Sequence, residues 1–276
     1  MIEPPGQVLR RHGLSARKQW GQHFLRDPSV HRAIVGAAGL TAEDRVVEIG
    51  AGLGTLTSGL LETGAEVWAI ERDRDLCEVL RAELGTHPRF VLHEADAVRF
   101  DYTTAFGERP PAIVGNLPYH LTGPLLFRLL EFHANTGPWV VMIQKEVADR
   151  LCAPPGSKTY GGITVGLSRL REIEGVVRVP PGAFLPPPRV DSAVIRLSPR
   201  SAPRGEVSDS VGFLALVRTA FQRRRKTLLN ALSALAPREQ ARAWCETAGV
   251  DSTLRPERLG PEQFAALQRA READGA

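Results

Sequence analysis

The sequence predicts an α/β fold: a mostly parallel sheet with helices on both faces, closed by an antiparallel C-terminal strand, plus a small all-α C-terminal domain. Three observations predict it. Short apolar runs alternate with helical apolar spacing from about residue 28 to residue 143. A glycine-rich turn, Glu48-Ile49-Gly50-Ala51-Gly52-Leu53-Gly54, follows the first of these runs. Beyond residue 210 the apolar patterns have the helical period throughout.

Taken in order, residues 1–20 read as an irregular basic arm containing Arg10, Arg11, Arg17 and Lys18. Asp27 can cap a helix from Pro28 to about Ala38, since Pro suits the first helical position. Arg45 to Ile49 reads as a short buried strand, and Thr55 to Leu61 as a helix ending at Gly64. Val67 to Ile70 is a second strand ending at Glu71; a helix over Asp73 to Leu84 and a strand over Arg89 to Leu92 follow. Ala112 to Val114 is a fourth strand, Thr122 to His133 a helix and Trp139 to Ile143 a further strand. Near residue 170 the pattern changes. Glu172 to Val179 and Asp191 to Leu197 are strand-like and flank a proline-rich connection, which suits an antiparallel edge on a parallel sheet. Ser198 to Ser210 reads as a linker, and Val211–Phe221, Lys226–Leu235, Arg238–Ala248 and Pro261–Arg271 as helices. The predicted domains are 1–200 and 201–276.

A chain of 276 residues, 43% of them hydrophobic, can bury one full core and a smaller second one. Net charge is +4, which favours an anionic partner but is too mild to name one. The run Arg223-Arg224-Arg225-Lys226 concentrates that charge; it suits either a solvated helix face or a line of phosphates. The three cysteines, Cys77, Cys152 and Cys245, are far apart, and the histidines show no ligand spacing. We therefore expect no metal and a reducing, cytoplasmic setting. No apolar run approaches the ~20 residues that span a bilayer, so a soluble protein without a membrane partner is expected. Nothing in the sequence demands an oligomer.

The glycine turn lets backbone approach a ligand and exposes helix N–H groups. Glu71, about 20 residues later at the end of the second strand, is placed to bind ribose hydroxyls. Both features also occur in dinucleotide-binding enzymes, so spacing decides. Their fingerprint is G-x-G-x-x-G, whereas Gly50, Gly52 and Gly54 stand one residue closer. E-x-G-x-G-x-G suits S-adenosylmethionine, which has no pyrophosphate to cradle, on a Rossmann-like methyltransferase sheet. Asp96, after the third strand, is by itself a solvated loop acid; in register with Gly50 and Glu71 it becomes an acceptor for the cofactor's adenine amino group.

Asn116-Leu117-Pro118-Tyr119 follows the apolar segment 112–115. Methyl transfer to an exocyclic amino group is an in-line displacement in which the cofactor supplies the activated methyl group and the protein positions and polarises. The nucleophile is the difficulty, because its lone pair is conjugated with the ring. An acceptor on each amino hydrogen would draw the nitrogen toward tetrahedral geometry. The Asn116 side-chain oxygen and the Leu117 carbonyl are the candidates. Pro118 would restrain the turn, and Tyr119 would stack on the extruded base. His120 could be read as a general base, though a loop histidine near solvent fits as well. Phe184 is either a second aromatic face opposite Tyr119 or a core residue.

At this point the chain resembles the ribosomal RNA adenine N6,N6-dimethyltransferase family, and within it the bacterial enzymes that act on two neighbouring adenines of small-subunit rRNA. The matching segments are 21–25, Glu48–Gly54, Ile70–Glu71, Asp96–Ala97, Asn116–Tyr119, 144–147, 183–194 and Phe221–Asn230. The resemblance implies cofactor contacts at His23, Leu25, Gly50, Glu71, Asp96 and Asn116, and Gly52 and Ala97 join this candidate set from the same segments. The family usually has Asn where this chain has His23; a backbone contact would survive that change and a side-chain amide contact would not. It also implies that Arg223–Lys226 contacts RNA, that the partner is small-subunit rRNA or a pre-small subunit, and that the protein acts as a late checkpoint in small-subunit assembly. Relatives in the superfamily methylate large-subunit rRNA or serve as mitochondrial transcription factors. A non-catalytic assembly factor and a nucleotide-dependent oxidoreductase are the competing readings; the intact tetrad disfavours the first and the glycine spacing the second.

Overall fold

The computed structural model describes residues 3–17 and 21–275; Lys18, one of the basic residues noted above, lies outside them. The chain begins with a short helix, α1 (Pro5–Arg11), where an irregular arm is expected from the sequence. Pro5 occupies the first helical turn, where no N–H is needed. Val8 and Leu9 hold the helix down against Phe24, Leu53, Leu76 and Val79. Arg11 pairs with Glu3 and Glu83, and Arg17, beyond the helix, with Asp73 and Asp75.

A two-residue strand, β1 (Phe24–Leu25), precedes α2 (Pro28–Ala38), which Asp27 caps by accepting from the Ser29 N–H at 2.8 Å. The α/β alternation then runs as expected: β2 (Arg45–Ile49), α3 (Thr55–Leu61), β3 (Glu66–Glu71), α4 (Arg74–Leu84), β4 (Phe90–Glu94), β5 (Ala112–Asn116), α5 (Thr122–Glu131) and β6 (Trp139–Gln144). After α6 (Lys145–Leu151) and α7 (Gly162–Leu170), β7 (Arg171–Val179), β8 (Phe184–Leu185) and β9 (Ser192–Pro199) complete the strands. The main sheet has the order β4-β3-β2-β5-β6-β9-β7, with β9 antiparallel to β6. The expected fold class is therefore the observed one. β1 and β8 form a separate antiparallel pair in which Leu25 faces Phe184.

Residues of the central strands, Val46, Val47, Ile113, Val114 and Val140 to Ile143, are completely buried, as strands covered on both faces must be. Each such side chain contributes roughly 1.5–3 kcal/mol of burial. Parallel pairing puts the C-terminal ends of β2, β3, β4 and β5 on one edge, with Ile49 beside both Ile70 and Gly115 and Glu71 beside Glu94. Ligands of open α/β sheets bind along that edge.

The chain divides into two compact units: Met1–Ala148 with Glu174–Pro199, and Asp149–Ile173 with Arg200–Ala276. The second unit is helical: α7, α8 (Ser210–Gln222), α9 (Leu228–Leu232), α10 (Arg238–Thr247) and α11 (Pro261–Ala273). Its core joins Tyr160 and Val165 to Phe213, Leu216, Trp244 and Phe264. Residues 149–173 thus belong with the helices, whereas the sequence pattern groups them with the sheet. Gly161 and Gly162 hide the start of α7, and a unit assembled from two separated stretches has no linear signature. Of the expected linker Ser198–Ser210, residues 200–209 are irregular but tethered: Arg204 pairs with Glu262 and Ser208 donates to Glu272 at 2.6 Å.

Candidate active site

The turn after β2 exists because three glycines take positive φ: Gly50 (74°), Gly52 (60°) and Gly54 (78°). Gly54 caps α3, and the Gly52 N–H donates to Glu71 Oε2 at 2.9 Å. Glu71 Oε1 accepts from the N–H groups of Arg72 (2.8 Å) and Asp73 (2.9 Å), which fixes this carboxylate at the end of β3. Burial raises the Glu71 pKa above the usual carboxylate value against the pull of those three donors. Asp96 accepts from the Val98 N–H at 2.9 Å and lies 3.6 Å from Arg72, and the carbonyl of Ala97 accepts from Tyr102 at 2.9 Å.

β5 delivers Asn116 to the same edge. A Cβ at Gly115 would lie 2.5 Å from the Ile49 carbonyl oxygen, so only glycine lets β5 approach β2 here. The Asn116 Nδ2 donates to the His23 carbonyl at 3.0 Å. That contact settles which way the amide points, since the reverse orientation would set two acceptors against each other. Oδ1 is left as the acceptor. The Leu117 N–H donates to the Met142 carbonyl at 3.0 Å and its side chain is buried. The Pro118 carbonyl accepts from the Leu121 N–H at 2.9 Å, closing the turn that carries Tyr119. The half-buried Tyr119 ring is held by its hydroxyl, 2.6 Å from the Oγ of fully buried Ser192. Burial raises the Tyr119 pKa, so the phenol stays neutral. His120 is exposed.

His23 contributes twice: its carbonyl orients Asn116, and its ring, with Nδ1 2.8 Å from the Pro186 carbonyl, lies near-parallel to the Tyr119 ring. The first contact is a main-chain one, so it is independent of the His-for-Asn difference. Leu25 is buried in β1, which confines any contact with a ligand to its main chain. Phe184 pairs with Leu25 across the β1–β8 ladder. It is 1% exposed and packs in the sheet core, the other role the sequence leaves open. Sequence reasoning misses Ser192 and Pro186. Both stand in the matching segment 183–194, but hydrogen bonds to partners 73 and 163 residues away leave no local trace.

Glu48 carries a further signal. It is 1% exposed in β2, and its Oε2 finds no hydrogen-bond partner among the described residues. Burial pushes its carboxyl up to about 7. An acid whose folded pKa is raised stabilises the fold below its unfolded value and loses that contribution as pH rises through the folded one. Glu48→Gln should therefore leave stability unchanged near about pH 4 and increase it by up to about 3 kcal/mol near about pH 8, measured by urea unfolding at both pH values.

Glu71 ends β3, and Asp96 follows the adjacent β4. Such an edge repels a pyrophosphate and suits a cofactor with a sulfonium and an ammonium group. The positive-φ glycines after β2 and the fixed Glu71 carboxylate at the end of β3 fit such a group. No metal-holding cluster occurs among the described residues.

In the helical unit the basic run is divided. Arg224 is turned inward, with Nε 2.5 Å from Glu257 and Nη2 2.5 Å from the Lys158 carbonyl. Arg223, Arg225 and Lys226 are exposed and, with Arg224, Asn230 and Ser233, border a cavity of about 610 Å³.

A parallel sheet with an antiparallel final strand, a G-x-G-x-G turn and an acid at each of the next two strand ends define an S-adenosylmethionine-dependent methyltransferase. A family model described as ribosomal RNA adenine dimethylase matches residues 13–270, and the chain belongs to that family. The chain is 45% identical over 272 residues to ribosomal RNA small subunit methyltransferase A of Myxococcus xanthus, covering 98% of this chain and 95% of the relative. It is 47% identical to the enzyme of the same name from an Anaeromyxobacter species, covering 96% of each. Among solved structures it is similar to a dimethyladenosine transferase from Plasmodium falciparum, with 26% identity and a TM-score of 0.77 over 92% of this chain and 98% of that one. The 23S rRNA methyltransferase ErmE matches with 28% identity and a TM-score of 0.68, covering 90% and 99%. The chain is thus an S-adenosylmethionine-dependent rRNA adenine dimethyltransferase.

Proposed function

We propose that the protein dimethylates two adjacent adenines of small-subunit rRNA at N6, acting in the cytoplasm as a monomer and serving as a checkpoint late in small-subunit assembly. The single observation that carries the chemistry is the Asn116 amide, whose Nδ2 is committed to the His23 carbonyl so that Oδ1 is left to accept. The small subunit as target is supported by the names of the bacterial relatives, which match across nearly their whole length.

S-adenosylmethionine supplies an activated methyl group. Glu71 is the ribose acceptor, Asp96 the acceptor for the cofactor's adenine amino group, and Gly50, Gly52, Ala97 and the main chain of His23 and Leu25 border the same site. Asn116 Oδ1 and the Leu117 carbonyl each take one hydrogen of the target amino group. This draws its lone pair out of the ring's conjugation and aims it at the methyl carbon. Bound S-adenosylmethionine would give up its methyl group in an in-line displacement with the electron pair left on sulfur, and the amino proton would leave to water. No histidine base is required. Tyr119, fixed by Ser192, presents the face on which the extruded base stacks. The helical unit supplies Arg223, Arg225 and Lys226 to RNA phosphates.

Labelled methyl transfer to unmethylated small subunits, with large subunits in parallel, tests this. Incorporation on small subunits alone is expected; label on large subunits alone would assign the chain to the large-subunit enzymes.

A further inference from the structure

The β1–β8 pair runs past the site, and an exposed arginine lies beyond each end of it. Phe24 pairs with Leu185 and Leu25 with Phe184. At one end His23 Nδ1 lies 2.8 Å from the Pro186 carbonyl, and the His23 carbonyl holds Asn116. At the other end the ladder continues into Arg26, whose N–H donates to the Ala183 carbonyl at 2.8 Å and whose Nε donates to the Gly182 carbonyl at 3.0 Å. Arg189 stands three residues after Pro186 and three before Ser192, in the connection whose ends hold the His23 ring and the Tyr119 hydroxyl. Three residues of chain span at most about 11 Å, so the Arg26 Cα is within that distance of His23, and the Arg189 Cα of Pro186.

Both arginines are exposed, and among the described residues neither has a carboxylate partner. Asp27, the acid beside Arg26, is occupied by the Ser29 N–H and hydroxyl, at 2.8 and 2.7 Å. Elsewhere in the same unit Arg11, Arg81 and Arg109 are ion-paired. The Nε bond of Arg26 to a main-chain carbonyl restrains the side chain and leaves both Nη groups unpartnered, a fork that matches a phosphate. Arg189 follows three consecutive prolines, which stiffen the chain that carries it.

We propose that Arg26 and Arg189 are positioning residues for the substrate: they grip RNA phosphates on the two sides of the target adenine, so that the catalytic unit has its own hold on the RNA backbone. The inference rests on the rRNA reading above. Extrusion rotates a nucleotide about its backbone, and phosphates held on both sides of it serve as the fixed points of that rotation. Such contacts set the register of the RNA without reading its sequence.

The test compares the parent enzyme with the double variant Arg26→Gln, Arg189→Gln, in which Gln keeps an N–H donor for the Gly182 carbonyl. Arg26→Lys with Arg189→Lys retains the charges, and Arg81→Gln with Arg109→Gln removes two charges at ion-paired sites. Readouts are affinity for unmethylated small subunits between about 0.05 and 0.2 M salt, S-adenosylmethionine affinity by calorimetry, and the melting temperature. Two phosphates at about 0.7–0.9 each predict a fall of about 1.4–1.8 in the slope of log affinity against log salt for the Gln pair. Binding at about 0.15 M salt should weaken on the order of 10-fold, with cofactor affinity and melting unchanged. The Lys pair should keep the parent slope, and so should the Arg81 and Arg109 control. An unchanged slope in the Gln pair would overturn the proposal, and a lowered melting temperature alone would make Arg26 a structural clip. An equal fall in the control pair would also overturn it, because net charge would then account for the effect. A parent enzyme that fails to bind small subunits would overturn the rRNA reading itself, and this inference with it.

Discussion

Replacing Asn116 by Ala is expected to lower the methyl-transfer rate by at least about 100- to 1,000-fold, the cost of removing one preorganised group that acts on developing charge. The argument is geometric. Nδ2 is used to hold the amide against the His23 carbonyl, so Oδ1 has a set direction and accepts without reorganising. Ala removes that acceptor and leaves the His23 carbonyl without its donor, a loss of about 1–3 kcal/mol where the group is desolvated. The fold should persist, because β5 is secured by Ile113, Val114 and its pairing with β2 and β6. Asn116→Asp separates the two functions: it keeps an acceptor but sets a carboxylate against the carbonyl. An intermediate rate in single-turnover assays is expected for it. Equal rates for Asn116→Ala and the parent would remove the mechanism.

The second large effect concerns RNA. Converting Arg223, Arg225 and Lys226 together to Ala should weaken binding to small subunits on the order of 100-fold at about 0.15 M salt, and reduce the slope of log affinity against log salt by about 2–3. Cofactor affinity should not change. Arg224 is expected to behave differently despite standing inside the same run. Its guanidinium ties the Lys158 carbonyl to the Glu257 carboxylate within the helical unit, so Arg224→Ala should lower the melting temperature and leave the salt slope nearly as it was. A salt slope unaffected by the triple variant would mean that the run is a solvated face.

Much of this is legible in the sequence, for identifiable reasons. The parallel strands announce themselves because both faces are covered, so 112–115 and 139–143 are apolar runs and 45–49 is interrupted only by Arg45 at its start and Glu48. The glycine turn is legible because positive φ at three alternate positions restricts the residue choice. Glu71, Asp96 and Asn116 follow from strand ends that a parallel sheet must bring to one edge. The rest lacks a local signal. The start of α7 at Gly161-Gly162 looks like a loop, and α1 depends on burial against Phe24 and Leu53, which no propensity encodes. The β1–β8 pair is two residues long, too short for any period. The inward turn of Arg224, the anchoring of Tyr119 by Ser192 and the burial of Phe184 are tertiary outcomes. A run of four basic residues reads as one patch until the fold divides it.

The measurement that bears most directly on the central claim is position-resolved nucleoside analysis of small-subunit rRNA after incubation with the enzyme and S-adenosylmethionine. The account expects N6,N6-dimethyladenosine at two neighbouring adenines, formed by the parent enzyme and absent with Asn116→Ala. Methylation at any other base atom, or dimethyladenosine formed equally by the Asn116→Ala enzyme, would contradict it.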